Sequence, residues 1–238
     1  MKIRMCAVLL CILAGCLIND LDDSETVIRL KEEFAGTEIG ITVEKGKEWA
    51  HTHGLGPFRV WVYPQMVFWA EDGDGNFLET LYISDADGKY NRHAAKEEMG
   101  PEFFRQCFPV WAAAFTGSGG TLPSNQSPFP DSLTSATPQS SFRLYTKLGA
   151  SHGPIRLYGE INKSGDYNEI YHKDNSDWVG QPSIIYTVEI PAVPEPGVFS
   201  MQPVGHGGLI ADAPRIYGDL SGIDSALEIV AGIEVSFP

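Results

Sequence analysis

Thiols, basic side chains and long apolar runs are all scarce in this chain, and each scarcity closes off a class of explanation. There are 4 cysteines, and 17 Lys and Arg stand against 31 Asp and Glu. The resulting formal charge of −14 repels phosphate backbones and anionic head groups, which argues against nucleic-acid binding and against a basic membrane-docking face. Cations or basic partners are the compatible ligands. The apolar run from Met5 to Gly15 is far shorter than the roughly 20 residues that a membrane-spanning helix needs. Nothing repeats internally. Catalytic signatures are missing too: there is no Gly-x-Ser-x-Gly elbow, no His-Glu-x-x-His, no phosphate loop and no Cys-x-x-Cys.

The short apolar run follows Lys2 and Arg4 and ends at Cys16, which is the layout of a signal peptide over residues 1–15. Leu13-Ala14-Gly15-Cys16 resembles the lipobox of bacterial lipoproteins, and the resemblance implies cleavage before Cys16 and acylation of its thiol. Several acyl chains on one residue are what stable membrane anchoring requires. Leu17 follows Cys16 where an Asp would imply inner-membrane retention, so the resemblance points to the outer membrane facing the periplasm. Cleavage removes two basic residues and takes the formal charge to −16, and with Cys16 acylated Cys107 is the only thiol remaining. No internal disulfide can form, and a chain of this length buries a core without one. Cys107 stands among Phe103, Phe104 and Phe108 and reads as a buried structural thiol. Residues 16–25 read as an acidic tether to a single domain over 26–238.

Strand signals dominate the domain. The stretch Gln65 to Ser84 carries two apolar runs around Asp72-Gly73-Asp74-Gly75-Asn76, which is a β-hairpin pattern. Val67 and Trp69 share one face, as do Phe77, Leu81 and Ile83, and a second sheet is expected to cover that side. Further strands are expected at Val27 to Leu30, Glu38 to Glu44, Phe142 to Leu148, Ile155 to Asn162, Ser183 to Ile190, Phe199 to Val204 and Gly232 to Phe237, and Pro109-Val110-Trp111 reads as the start of another. Helical turns are expected at Ala94 to Met99 and within Asp219 to Ala231, the latter capped by Ser221 or Asp224. The spacing predicts an all-β, antiparallel immunoglobulin-like β-sandwich of eight to ten strands with one or two short helices. Thr116 to Gln139, rich in Gly, Ser, Thr and Pro, is too long for an ordinary turn.

Four places invite a functional reading. His51 and His53 lie in an expected loop and read as solvent-exposed histidines, since no carboxylate stands beside them to complete a metal site. Asp72, Asp74 and Asn76 imitate the start of a calcium loop, but Phe77 and Ile83 stand where that loop needs Gly and Glu. The polar and aromatic segment Asp166 to His172, with Trp178, Gly180 and Gln181 beyond it, has the composition of a recognition loop or of strand-end caps. His206 sits among glycines, which bring backbone close to a ligand or turn the chain. Neither a metal nor any other cofactor is expected.

Four motifs taken together, WAEDGDGNFLETL, DSLTSATP, GQPSIIY and DLSGIDSALEIV, resemble a group of bacterial exported proteins with an FlgD-like, immunoglobulin-like sandwich. Members of that group are often fused to or encoded beside FAD:protein FMN transferases. Asp131-Ser132-Leu133-Thr134-Ser135-Ala136-Thr137 resembles the acceptor motif of those transferases, with Ser135 in place of its Gly. The resemblance implies Asp131, Thr134, Ala136 and Thr137 as an attachment site, with FMN on Thr137 in a redox carrier. The alternative is a loop folded back on its own backbone by Asp and Thr side chains. The reading preferred is a non-enzymatic, lipid-anchored envelope protein that binds a partner or ligand through its loops.

Overall fold

The structure, a computed structural model, describes residues 26–55, 58–84, 100–124, 126–149, 153–192, 194–209 and 212–238. Cys16, the tether and the stretch Ala94 to Met99 lie outside them. Strands run in the order β1 (Thr26–Arg29), β2 (Thr37–Lys45), β3 (His51–Leu55), β4 (Phe58–Val62), β5 (Gln65–Asp72), β6 (Phe77–Ser84), β7 (Thr134–Ser135), β8 (Phe142–Leu148), β9 (Ile155–Asn162), β10 (Ile184–Ile190), β11 (Gly197–Ser200), β12 (Gln202–His206) and β13 (Val230–Phe237). Among the described residues three short α-helices are interspersed: α1 (Glu102–Cys107), α2 (Pro109–Gly117) and α3 (Lys173–Ser176).

Two sheets face each other as an all-β sandwich. One has the order β1-β8-β2-β13-β11 and the other β12-β10-β9-β5-β6-β7, while β3 and β4 form a separate hairpin. Pairing is antiparallel except at two edges, where β1 lies parallel to β8 and β7 parallel to β6. Alternation does what it should in the five-stranded sheet: Ile39, Ile41 and Val43 on β2 point inward beside Phe142 and Leu144 on β8. Each such side chain taken from water contributes about 1.5–3 kcal/mol.

The six-stranded sheet departs from the sequence expectation because both of its faces are covered. Met66, Phe68 and Ala70 on β5 meet the five-stranded sheet. Val67 and Trp69, expected under a second sheet, instead lie beneath α1 and α2, against Phe104, Cys107, Phe108 and Trp111. Phe77 and Ile83 join them, but Leu81 turns to the other core, since a register shift opposite Phe68 and Trp69 makes it an extra residue in β6. Pro109-Val110-Trp111 starts a helix, not a strand. Pro109 occupies the first helical turn, where its missing N–H costs nothing.

Two more differences have physical causes. Phe199 to Val204, expected as one strand, is two: β11 pairs with β13 in one sheet and β12 with β10 in the other, with Met201 buried at the crossing. Within Thr116 to Gln139, Leu122 is buried, Phe129 packs edge-on against Trp111 at 5.9 Å, and Thr134–Ser135 pairs with the edge of β6. That tract wraps the helical layer. The Asp72 turn forms as the sequence predicts, with Asp72 Oδ1 accepting from the N–H groups of Asp74 and Asn76.

Candidate functional site

Register places several chain crossings at one end of the sandwich. Thr26 lies level with Phe142 and Val43, Lys45 with Val230, and Gln65 with Asn162. So the chain enters the fold at the end where residues 46–50, 163–183 and 219–229 connect strands and where the β3–β4 hairpin rises. Several segments singled out in the sequence converge there.

A buried polar network ties these loops together. Lys163, at the end of β9, donates from Nζ to the Glu48 carbonyl at 2.6 Å and lies 3.6 Å from Asp166 Oδ1. Ser225 Oγ donates to the same carboxylate oxygen at 2.8 Å, and Gln181 Nε2 donates to Ser225 Oγ at 2.6 Å. Gln181 Oε1 accepts from the Asp224 N–H, and its carbonyl accepts from Asn162 Nδ2. Burial pushes the Asp166 carboxyl up, and the Lys163 charge and Ser225 hydroxyl oppose that shift. Gly180 adopts φ 80° against this loop, and a Cβ there would stand 2.5 Å from the Asp166 nitrogen, so only glycine lets the two backbones meet.

The outer shell of the loop is held as firmly. Asn168 Oδ1 accepts from the N–H groups of Ile170 and Tyr171, and its Nδ2 donates to the Gly222 carbonyl. Tyr167 donates its hydroxyl to the Asp177 carbonyl, and His172 with Asn175 forms a capping box on α3. Trp178 stacks on Phe103 at 5.0 Å and donates to Gln106 Oε1, fastening the loop to α1. Beside it opens a cleft of about 740 Å³ between residues 167–170 and 222–228. Glu169, Asp224 and Glu228 line it, and Tyr167 and Ile170 remain 37 % and 53 % exposed. The chemistry on offer is acceptor-rich and partly apolar: it suits a basic group carried next to an apolar one.

The other sequence candidates fall out as follows. His51 and His53 stand on strand β3, not in a loop, and both rings approach Gly165. Burial, then the nearby Lys163 charge, holds His51 below the usual histidine range. Among the described residues no three His, Cys, Asp or Glu side chains are grouped to hold a metal ion. Cys107 is buried in α1 against the sheet. His206 stacks on Tyr217 at 5.4 Å and accepts from the Gly208 N–H, and Gly207 lets the backbone pack on Ser183, Pro109 and Glu160. Asp131, Thr134, Ala136 and Thr137 lie together at the β6 edge. A phosphoester to FMN needs an accessible hydroxyl, yet the hydroxyls of Thr134 and Thr137 are both buried. The segment as folded does not fit the flavin.

Residues the sequence reading passed over include Lys163, Ser225 and Glu160. Lys163 directly follows β9 and stands three residues before Asp166, the carboxylate it meets, and that spacing is the one sequence signal for the pair. Asp224 does act as a cap, accepting from the Ser225 N–H. Comparison with known protein families, with curated proteins and with solved structures finds no match for this chain.

Proposed function

We propose that this chain is a lipid-anchored, non-enzymatic protein of a bacterial envelope that binds a basic partner segment through the loop cluster at its anchored end. One observation carries the binding half of the reading: Tyr167 and Ile170 stay exposed on a loop whose turns are hydrogen-bonded throughout. A binding surface organised in advance avoids ordering costs of about 0.5–1.5 kcal/mol per side chain. Glu169 and Asp224 supply the charge that would select Lys or Arg on the partner, while Glu228 at the rim is already paired with Lys47.

The anchoring half rests on Lys2, Arg4, the short apolar run and Leu13-Ala14-Gly15-Cys16. Each buried acyl methylene is worth about 0.8 kcal/mol, so one chain holds marginally and several hold firmly. The expected result for Cys16→Ser is a soluble or uncleaved protein, whereas changes at Cys6 or Cys11 leave anchoring intact. Fractionation with intact mass reads both; a Cys16→Ser protein that is cleaved and still extracted only by detergent contradicts the assignment. The same mass measurement, after co-expression with an FMN transferase, is expected to show no flavin. A gain of one FMN that vanishes in Thr137→Ala would replace this reading with a redox carrier.

A further inference from the structure

We infer that the β3–β4 hairpin is a membrane-contacting wedge that places Trp61 and Val60 in the boundary between head groups and acyl chains of the bilayer to which the protein is anchored. The inference rests on the anchored reading above, and three observations carry it. The hairpin belongs to neither sheet: its His51 and His53 side leans on the connection at Gly165, while Thr52, His53, Gly54, Arg59, Val60 and Trp61 are all exposed.

Its apolar residues face both ways. Val60 pairs with His53 and Trp61 with Thr52, so the two apolar side chains leave opposite faces of the ribbon, 41 % and 63 % exposed. The outermost rung pairs Leu55 with Phe58. Val60 shares the side of His51 and His53 that leans on Gly165, so Trp61 is the apolar side chain on the free face, and contact with a bilayer removes its ring from water with Val60 at the margin. Tryptophan is also the side chain that favours the head-group level of a bilayer, with an apolar ring and a polar N–H.

Charge and position agree. No acidic residue occurs between Glu48 and Glu71 in a chain that carries 31 of them, and Arg59 is the single formal charge in that interval. Head groups that repel the acidic body therefore leave this one projection free to approach. Thr26 enters the fold at the same end. The ten residues from Cys16 to Thr26 reach at most about 35 Å when fully extended, so an anchored protein keeps that end near the bilayer.

The test uses the mature, full-length protein reconstituted in phosphatidylcholine vesicles, with or without brominated acyl chains that quench indole on contact. Trp61 is one of five tryptophans, so brominated lipid is expected to remove up to roughly one-fifth of the emission, and the loss should be absent in Trp61→Phe. Vesicle flotation reports the anchor separately. A protein that floats but shows equal quenching in wild type and Trp61→Phe overturns the wedge and leaves the anchor standing. A protein that does not float overturns the anchor, and with it the wedge that rests on it.

Discussion

Trp111→Ala is expected to destabilise the domain by about 3–5 kcal/mol, among the largest losses any single truncation should produce here. Trp111 is fully buried at the centre of the helical layer. Its ring stacks on Phe115 at 5.3 Å and meets Phe104, Phe108 and Phe129 edge-on at 6.1, 6.3 and 5.9 Å. Its indole N–H donates to Thr80 Oγ1 at 3.1 Å, which ties α2 to strand β6. Truncation leaves a cavity ringed by rigid aromatics that cannot collapse into it, and strips the Thr80 hydroxyl of that donor. Urea unfolding should show a lower midpoint with an unchanged slope. Trp111→Phe separates the two effects: it keeps most of the packing and should cost about 1–2 kcal/mol for the lost hydrogen bond. A loss under 1 kcal/mol in Trp111→Ala would mean that the helical layer is not part of the cooperative core.

The second large effect is a pH dependence with its source in one side chain. Glu160, on the doubly covered strand β9, is buried completely and reaches from the sheet to the start of α2. Its carboxyl accepts from the N–H groups of Trp111 at 2.8 Å and Val110 at 3.4 Å and from Ser183 Oγ at 2.6 Å. Burial raises its pKa to about 7, against hydrogen bonds from Ser183, Trp111 and Val110 that favour the ion. In the unfolded chain the same group titrates near 4.5. Between these values the folded state holds a proton that the unfolded state has released. The contribution is therefore fully present below about pH 4.5 and is lost as pH rises through about 7. A shift of this size corresponds to about 3 kcal/mol. Glu160→Gln keeps an acceptor for the helix and cannot ionise, so its unfolding free energy should lack that fall between pH 4.5 and 8. The two proteins should differ in slope over that interval, and parallel curves would show that the carboxyl is ionised throughout.

These two groups also mark where the sequence stops being legible. Phe142–Leu148 and Ile155–Asn162 can be bounded from sequence because segments of strand length with recurring apolar residues stand between turn residues there. The helical layer was open to reading and was missed. Phe103, Phe104, Cys107, Phe108, Trp111 and Ala112 recur with helical spacing, but Pro109 suggested a break leading to a strand when it opens a second helix. Glu160 could not be found this way, because its partners on α2 lie 49 and 50 residues away. The same holds for the crossing at Met201, since a strand that changes sheets keeps the alternation of one that does not. At the candidate site, Asp166 to His172, Gly180 and Gln181 were visible as a polar and aromatic segment. What joins them is only half legible: Lys163 stands three residues before Asp166 in the same connection, whereas Ser225 comes from the 219–229 connection and meets Asp166 through tertiary packing alone.

The binding claim is most directly tested by photo-crosslinking in intact cells, with a photoreactive phenylalanine analogue replacing Tyr167, Ile170 or Leu78 in turn. Leu78 is 41 % exposed, comparable to the 37 % of Tyr167, but lies beside the Asp72 turn at the other end of the sandwich. Crosslinks to one and the same partner peptide from Tyr167 and Ile170, absent from Leu78 and weakened by Glu169→Lys, are the result predicted for a basic segment held in the cleft. Equal labelling from all three positions, or none from the first two, would contradict it.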